Sequence, residues 1–125
     1  MIDKYVQETF SQIEPFLPED WSMVVFYAEY DVASFSMEFY VRRPKGKFVS
    51  CFDFGGVSEK ALAQLFASLD KIMSAQRADL SEKELWSFLT MTVDDKGKIR
   101  VDYGYEDLAD TPYRHKQAWE RKYLS

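Results

Sequence analysis

The spacing of apolar residues predicts a helix at each end of the chain and another in its middle. Near the N-terminus, apolar side chains recur every three or four residues: Ile2, Val6, Phe10, Ile13 and Leu17. This spacing predicts a first helix that ends near Pro15 to Pro18, with one face in the core. A second stripe follows Gly55-Gly56, and Ser58 is placed to cap its N-terminus. Its members are Leu62, Leu65, Phe66, Leu69, Ile72 and Met73, and we expect this helix to lie across a sheet.

Between these helices the spacing shortens to two, which is typical of strands. Residues 21 to 30 are apolar on both alternating faces, so they predict a central strand covered on both sides. A second strand alternates apolar Ala33, Phe35, Met37, Phe39 and Val41 with polar Ser34, Ser36, Glu38, Tyr40 and Arg42. One face of this strand should pack, and the other should meet solvent or a partner. The Pro and Gly of Arg43 to Lys47 predict a turn into a third strand, Phe48 to Phe54.

The last third of the chain contains a predicted hairpin and a helix. Ser81 and Glu84 have the spacing of a capping box, which predicts a short helical turn. Strands at 86–93 and 98–103 flank a tight turn at 94–97, where Gly97 suits the left-handed position. The last helix should begin at Thr111-Pro112, an N-cap followed by proline, and carry Trp119 and Tyr123 on one face.

Together these elements predict an α+β fold with an N-terminal, a central and a C-terminal helix. We expect a single, predominantly antiparallel sheet of about five strands, built from a three-stranded meander plus a hairpin, because both turns are too short for parallel crossovers. The length of 125 residues and the lack of repeats or linkers favour a single domain over 1–125.

Composition narrows the class of protein. Hydrophobic residues make up 46% and aromatic residues 17% of the chain, which is too apolar for disorder. No apolar run is long enough for a membrane span, and the N-terminus lacks the pattern of a secretory signal. Cys51 is the only cysteine, so no disulfide can form within the chain. We therefore expect a soluble, cytoplasmic protein that does not bind membranes.

Charge is unevenly distributed along the sequence, whose formal net charge is −5. No basic residue lies between Lys4 and Arg42, whereas seven acids do: Glu8, Glu14, Glu19, Asp20, Glu29, Asp31 and Glu38. Basic residues collect at 42–47 and again at 114–122. Direct binding of nucleic acid needs a broad basic surface, so we do not expect it. Taken one at a time, most of these charges are explained by an ordinary solvated surface.

The end of the last predicted strand and the segment after it combine acids with tyrosines. From Asp102 to Asp110 no Lys or Arg accompanies the acids Asp102, Glu106, Asp107 and Asp110, and Tyr103 and Tyr105 lie among them. Such a surface suits a basic partner. Packing of the tyrosines between the last strand and the last helix is an equally good interpretation of them, and Asp110 would then favour the helix N-terminus.

Sequence motifs for catalysis are missing, apart from dispersed carboxylates. His115 is the only histidine, so one histidine and one cysteine cannot build a Cys/His zinc site, and a catalytic triad has no supporting motif. A hairpin turn explains the acidic run at 94–97 better than a metal loop does. An acid/base pair or a carboxylate-bound Mg²⁺ stays open among Glu29, Asp31, Glu38 and Asp102. We nevertheless expect no catalytic residue, metal or cofactor, and no small-molecule substrate.

Several separated motifs resemble one known family. They are Asp102-Tyr103-x-Tyr105-Glu106-Asp107-Leu108, Trp119-Glu120-x-Lys122-Tyr123-Leu124, Leu17-Pro18-Glu19-Asp20-Trp21, Tyr27-x-Glu29-Tyr30, and Trp86 before an alternating strand. In this order they resemble the YezG-like antitoxin and immunity family, whose members neutralise nuclease toxins of bacterial competition systems. The resemblance covers most of the chain and is strongest at the C-terminus, whereas the middle matches only in its expected secondary structure.

The resemblance implies an immunity protein that binds a cognate toxin, such as a nuclease of a contact-dependent or secreted system, without turnover. We predict that partner binding involves Glu29, Asp31, Glu38, Tyr40, Asp102, Tyr103, Tyr105, Glu106 and Asp107. Fixed carboxylates can flank the basic cleft that a nuclease uses for phosphates, and can speed association by electrostatic steering. Two other hypotheses remain open from the sequence: a small carboxylate- or metal-dependent hydrolase, and a non-enzymatic interaction module.

Overall fold

A computed structural model of the chain describes residues 4–31, 34–53, 55, 57–108 and 112–125. In these residues the helices are α1 (Lys4–Ile13), α2 (Glu59–Ala78) and α3 (Pro112–Tyr123), and the strands are β1 (Met23–Tyr30), β2 (Phe35–Arg42), β3 (Val49–Ser50), β4 (Phe88–Asp94) and β5 (Ile99–Gly104). The chain divides into two compact units. A helical unit is built from Met1–Glu19 and Phe52–Leu85, and a sheet unit from Asp20–Cys51 and Trp86–Ser125.

In the helical unit, α1 contacts α2, and the end of α1 and the start of α2 follow their sequence signals. The helix α1 stops at Ile13, where a 3-10 turn containing Pro15 begins. The Ser58 hydroxyl accepts a hydrogen bond from the backbone N–H of Ala61 at 3.1 Å, which confirms the predicted cap of α2. The predicted apolar stripes are largely buried at Val6, Ile13, Leu62, Leu65, Leu69 and Met73. The predicted capping box is also confirmed, because the Ser81 hydroxyl accepts from the Glu84 backbone N–H and the Glu84 carboxylate accepts from the Ser81 backbone N–H.

In the sheet unit, the strands lie in the order β3-β2-β1-β4-β5, and every neighbouring pair is antiparallel. The meander β1-β2-β3 and the hairpin β4-β5 therefore join through β1 and β4, which confirms the predicted fold class. Val24 pairs with Val41 on one side and with Val93 on the other. Residues 24–28 are buried, which confirms the prediction of a central strand covered on both faces.

Two of the turns between paired strands lie wholly within the described residues. At the β4–β5 turn, Gly97 has φ +84°, which confirms its predicted left-handed conformation, and its N–H donates to the Asp94 carbonyl at 3.0 Å. At the β2–β3 turn, the Gly46 N–H donates to the Arg43 carbonyl at 3.0 Å. The left-handed residue of this turn is Lys45, with φ 65°, and not the neighbouring glycine.

The third strand is shorter than its sequence predicts. Only Val49 and Ser50 are extended, and Cys51–Asp53 form a turn, so the prediction of a strand over Phe48 to Phe54 is wrong. This strand lies at the sheet edge and bonds to β2 alone, so few hydrogen bonds hold it extended. Cys51 is buried as predicted, and its N–H still donates to the Phe39 carbonyl at 2.8 Å. Predictions that fall on Ile2, Ala33, Phe54, Gly56, Asp110 and Thr111 lie outside the described residues.

Candidate functional site

The last helix, α3, packs on one face of the sheet and organises the polar residues there. Pro112 stands at its first position, and His115, Trp119 and Tyr123 follow at intervals of four. Trp119 is 4% exposed, and its ring centroid lies 4.8 Å from that of Tyr27. Its indole N–H donates to the Thr90 hydroxyl at 2.8 Å. The Trp119 contacts therefore fix α3 across the middle of the sheet.

One polar cluster under α3 joins Glu29, Tyr27 and His115. The Tyr27 hydroxyl donates to Glu29 Oε1 at 2.7 Å and lies 2.7 Å from His115 Nε2. Because that O–H is committed to Glu29, Nε2 of His115 must be the donor in the second bond. Burial, and then the hydrogen bond to Glu29, raise the pKa of Tyr27. Tyr27 is therefore a neutral bridging group and not a base.

A second cluster surrounds the ammonium group of Lys116. Its Nζ donates to the Tyr40 hydroxyl at 3.1 Å and lies 3.7 Å from Glu38 Oε1. It also lies 5.0 Å from the ring centroids of Tyr27 and Trp119. The other Glu38 oxygen accepts from the Ser50 hydroxyl. Burial, followed by the hydrogen bond to Glu38, raises the pKa of Tyr40.

These contacts correct one expectation about β2. Its polar face was predicted to meet solvent or a partner, but Tyr40 on that face is only 8% exposed. The reason is that α3 covers this face, as the 5.5 Å separation of the Tyr40 and Trp119 ring centroids shows. The prediction of an open face is therefore wrong at Tyr40, whereas Ser36 on the same face is exposed.

A third polar group, Asp102, lies on β5. It accepts a hydrogen bond from the Tyr123 hydroxyl at 2.7 Å, and its other oxygen lies 3.5 Å from Arg100 Nε. Burial, with the hydrogen bond to Asp102 next, raises the pKa of Tyr123 to about 12. Glu29, Glu38 and Asp102 are half-buried. Each of these carboxylates contacts a side chain of the sheet unit, namely Tyr27, Lys116 and Tyr123 in turn.

A different environment surrounds the acidic segment, by which we mean Tyr105, Glu106 and Asp107. All three residues are exposed, and Tyr105 is 59% exposed. Ser87 fixes the backbone, because its hydroxyl donates to the Glu106 carbonyl at 2.6 Å and its N–H donates to the Gly104 carbonyl at 2.8 Å. Among the described residues, no side chain bonds to the Glu106 carboxylate. The segment therefore presents negative charge on an anchored backbone.

Two further predicted residues lie apart from the α3 face. Tyr103 projects from the opposite face of β5, with its ring centroid 6.2 Å from that of Trp86, and is 37% exposed. Asp31 is exposed just after β1, and its N–H donates to the Ser34 carbonyl. The nine predicted residues are therefore divided among the α3 face, the acidic segment and these two positions.

Sequence reasoning did not include Tyr27, His115, Lys116 or Tyr123 in the site. The signal that could have found His115 and Tyr123 is the interval of four between His115, Trp119 and Tyr123, which places all three on one face of α3. Lys116 is harder to recognise, because its partners Glu38 and Tyr40 are distant in sequence.

Reactive chemistry has little support in this geometry. Burial raises the pKa of the Cys51 thiol to about 11, so the reactive thiolate is scarce at neutral pH. Among the described residues, no three His, Cys, Asp or Glu side chains are placed to hold a metal ion together.

Over the same residues, none of the helices has the length and apolar character that crossing a membrane requires.

The chain is similar over most of its length to known immunity proteins. The family model described as "Immunity protein YezG-like" matches residues 2–125. Immunity protein YezG of Bacillus spizizenii is 30% identical over 108 residues, which cover 82% of this chain and 67% of the relative. Immunity protein YezG of Bacillus subtilis is 25% identical over 122 residues, covering 90% of this chain and 81% of the relative.

Proposed function

The chain belongs to the YezG-like immunity protein family, and from this premise we propose that it binds one cognate toxin and neutralises it without turnover. The single observation that carries this proposal is the family match, which runs through both compact units. For the same reason we infer that residues 1–125 act as one domain. We place the protein in the cytoplasm of the cell that it protects, where an incoming toxin would reach its target.

We propose further that the toxin is a nuclease of an interbacterial competition system, delivered by contact or by secretion. A nuclease holds phosphates in a basic cleft, and the exposed acidic segment is complementary in charge to such a cleft. The segment needs little ordering on binding, because Ser87 already holds its backbone.

The predicted residues divide into contact and supporting roles in this proposal. Tyr105, Glu106 and Asp107 contact the toxin, with Asp31 and Tyr103 as further exposed contacts. Glu29, Glu38 and Asp102 add to the negative field of the sheet unit while they hold Tyr27, Lys116 and Tyr123. We assign Tyr40 the supporting role of holding Lys116, since its ring is buried and packs on Trp119.

The test reverses two charges of the acidic segment. We expect Glu106→Lys with Asp107→Lys to slow toxin association by about tenfold or more at low salt, because steering and contact are both lost. The melting temperature should hardly change, since exposed charge changes usually alter stability by about 0.5 kcal/mol or less. Association and dissociation rates measured by surface plasmon resonance, together with a thermal melt of the same variant, separate the two effects.

The matched control is Glu8→Lys with Glu19→Lys, which makes the same change of charge at exposed positions of the helical unit. It should alter the association rate by about twofold or less through net charge alone. Equal rates for the two double variants would remove the acidic segment from the interface. A chain that binds no toxin and protects no cell would overturn the proposed function itself.

A further inference from the structure

A basic cavity opens beside the C-terminal end of α3, away from the acidic segment. It has a volume of about 270 Å³, and Arg42, Arg100 and Lys122 line it. The sheet residues Met23, Val25, Thr92 and Asp102 also line it, together with Phe48, Tyr123 and Ser125. On a chain of net charge −5, three cations around one cavity form a local reversal of sign.

The cations of this cavity are poorly neutralised by the sheet unit. Among the described residues, the Arg42 guanidinium has no carboxylate partner and lies 5.1 Å from the centroid of the Phe48 ring. Arg100 is 3.5 Å from Asp102, but that carboxylate already accepts the Tyr123 hydroxyl. Among the side chains that line the cavity, three basic groups therefore accompany one acidic group, that of Asp102. Arg42 is half-buried and Arg100 is exposed.

The strand register explains how the two arginines face each other. Arg42 pairs with Met23 of β1, and Arg100 pairs with Thr92 of β4, so both side chains rise from the face that α3 covers. Three strand spacings separate β2 from β5, which puts the two backbones roughly 14 Å apart. Two long side chains can bracket an oxyanion across that distance. The α3 C-terminus disfavours an anion, and Lys122 in its last turn offsets this effect.

We propose that this cavity binds an oxyanion, namely the carboxylate of an acidic side chain on the toxin surface. Arginine pairs bidentately with carboxylates and is weakly hydrated, so it loses little on entering an interface. The partner assignment rests on the proposed function, which supplies a protein surface as occupant. An acidic anchor here and a basic contact at the acidic segment would fix the toxin in one orientation, since the reversed orientation sets like charges together.

The anion site is tested on the chain alone, with inorganic phosphate as the probe. The titration is carried out at constant ionic strength and monitored by the NMR signals of the Nε–H groups of ¹⁵N-labelled arginines. The signals of Arg42 and Arg100 should shift together and reach saturation at millimolar phosphate. Arg121 is exposed and does not line the cavity, so its signal serves as the internal reference. Arg42→Gln should abolish the saturable shift of Arg100. Small, linear shifts shared by all arginines would overturn the site.

The source of the anion is tested with the toxin. Arg42→Gln with Arg100→Gln should weaken toxin binding by about tenfold, mainly through faster dissociation. Lys98→Gln with Arg121→Gln removes the same charge from exposed positions outside the cavity and should stay within about twofold of the wild type. If the two double variants bound the toxin with equal affinity, the toxin would not be the source of the anion that the cavity binds. If the wild-type chain bound no toxin, the proposed function and this assignment would both fail, and the phosphate titration would still decide the anion site.

Discussion

Lys45 holds a left-handed backbone conformation that its side chain disfavours. Its φ is 65°, in a turn closed by the Gly46 N–H and the Arg43 carbonyl. An L-residue in this region costs roughly 1–2 kcal/mol, and Asn or Gly would relieve most of it. The turn sequence Pro44-Lys45-Gly46 therefore carries avoidable strain next to a short edge strand.

Lys45→Gly should stabilise the protein by about 0.5–1 kcal/mol, because relief of the strain exceeds the extra entropy of glycine in the unfolded chain. Lys47→Gly removes the same charge and adds the same entropy at a position without positive φ. It should therefore be neutral or destabilising. Urea unfolding of both variants measures the difference, and a Lys45→Gly variant no more stable than Lys47→Gly would show that the turn is not strained.

Tyr123 predicts how stability depends on pH at the alkaline end. Its pKa rises from 10.0 to about 12 on folding, so the folded chain holds this proton more tightly than the unfolded chain. The corresponding stabilisation is complete below pH 10 and is lost as pH rises through about 12.

Tyr123→Phe should cost about 1 kcal/mol near neutral pH, through loss of the hydrogen bond to Asp102. The gap between wild type and variant should then narrow as pH is raised from 9 to 11, because the wild type alone loses this contribution. Urea unfolding at pH 7, 9, 10 and 11 measures the gap. A gap that widens with pH would show that the sign of the linkage is wrong.

At the scale of elements, the β4–β5 hairpin depends on the absence of a side chain at Gly104. Gly104 pairs with Phe88, and a Cβ built on Gly104 would lie 2.0 Å from the Phe88 ring. That ring also packs on His115, with centroids 4.4 Å apart. Phe88 thus fills the place that a side chain at 104 would take, just before the acidic segment.

Gly104→Ala should destabilise the protein by about 1–3 kcal/mol, since the Phe88 ring must move against α3. Gly46→Ala is the matched control, because its new Cβ would meet nothing closer than 3.4 Å. Thermal melts of the two variants measure the difference. Similar melting temperatures of the two variants would mean that the Phe88 ring can adopt another rotamer at little cost.

The docking of α3 depends on Trp119 more than on any polar contact. Trp119→Ala should cost about 3–5 kcal/mol, since it removes a buried ring and leaves the Thr90 hydroxyl without its donor. Amide hydrogen exchange should then become fast throughout α3. The exposed residue Gln117 on the same helix is the control, and Gln117→Ala should leave exchange nearly unchanged. Retained protection of α3 in Trp119→Ala would assign its anchoring to the Lys116 contacts.

How far these elements follow from sequence depends on whether the signal is local. The hairpin turns, the α2 cap and the alternation of β2 were predictable, because each rests on residues close together in the chain. The coverage of Tyr40 was not, because it depends on which sheet face α3 chooses. The sequence of β2 is the same whether water or Trp119 covers its polar face. The clusters around Glu38 and Glu29 were equally unpredictable, because they also depend on contacts with the distant helix α3.

At the scale of the whole molecule, the proposed neutralisation without turnover predicts a fixed stoichiometry of protein to toxin. Toxin activity titrated with this protein, at concentrations well above the dissociation constant, should fall linearly to an end point set by the amount added. The end point should not move with incubation time, and His115→Ala or Cys51→Ala should leave it in place. Loss of toxin activity at substoichiometric amounts, growing with time, would point to catalysis.

The sheet order has a consequence for how the protein assembles during synthesis. The central strand β1 can pair with β2 as soon as that strand is made, but its other neighbour, β4, lies about sixty residues further along the chain. The β1–β2 hairpin can therefore form early and the β4–β5 hairpin only when residues 88–104 have been made, while the pairing of β1 with β4 must close a long loop. Until then the backbone N–H and C=O groups on one edge of β1 are unpaired, and its apolar side chains are only partly shielded from water. A ribosome-bound fragment that ends before β4 should accordingly be prone to aggregate, and the closing of the sheet is expected to set the rate of folding.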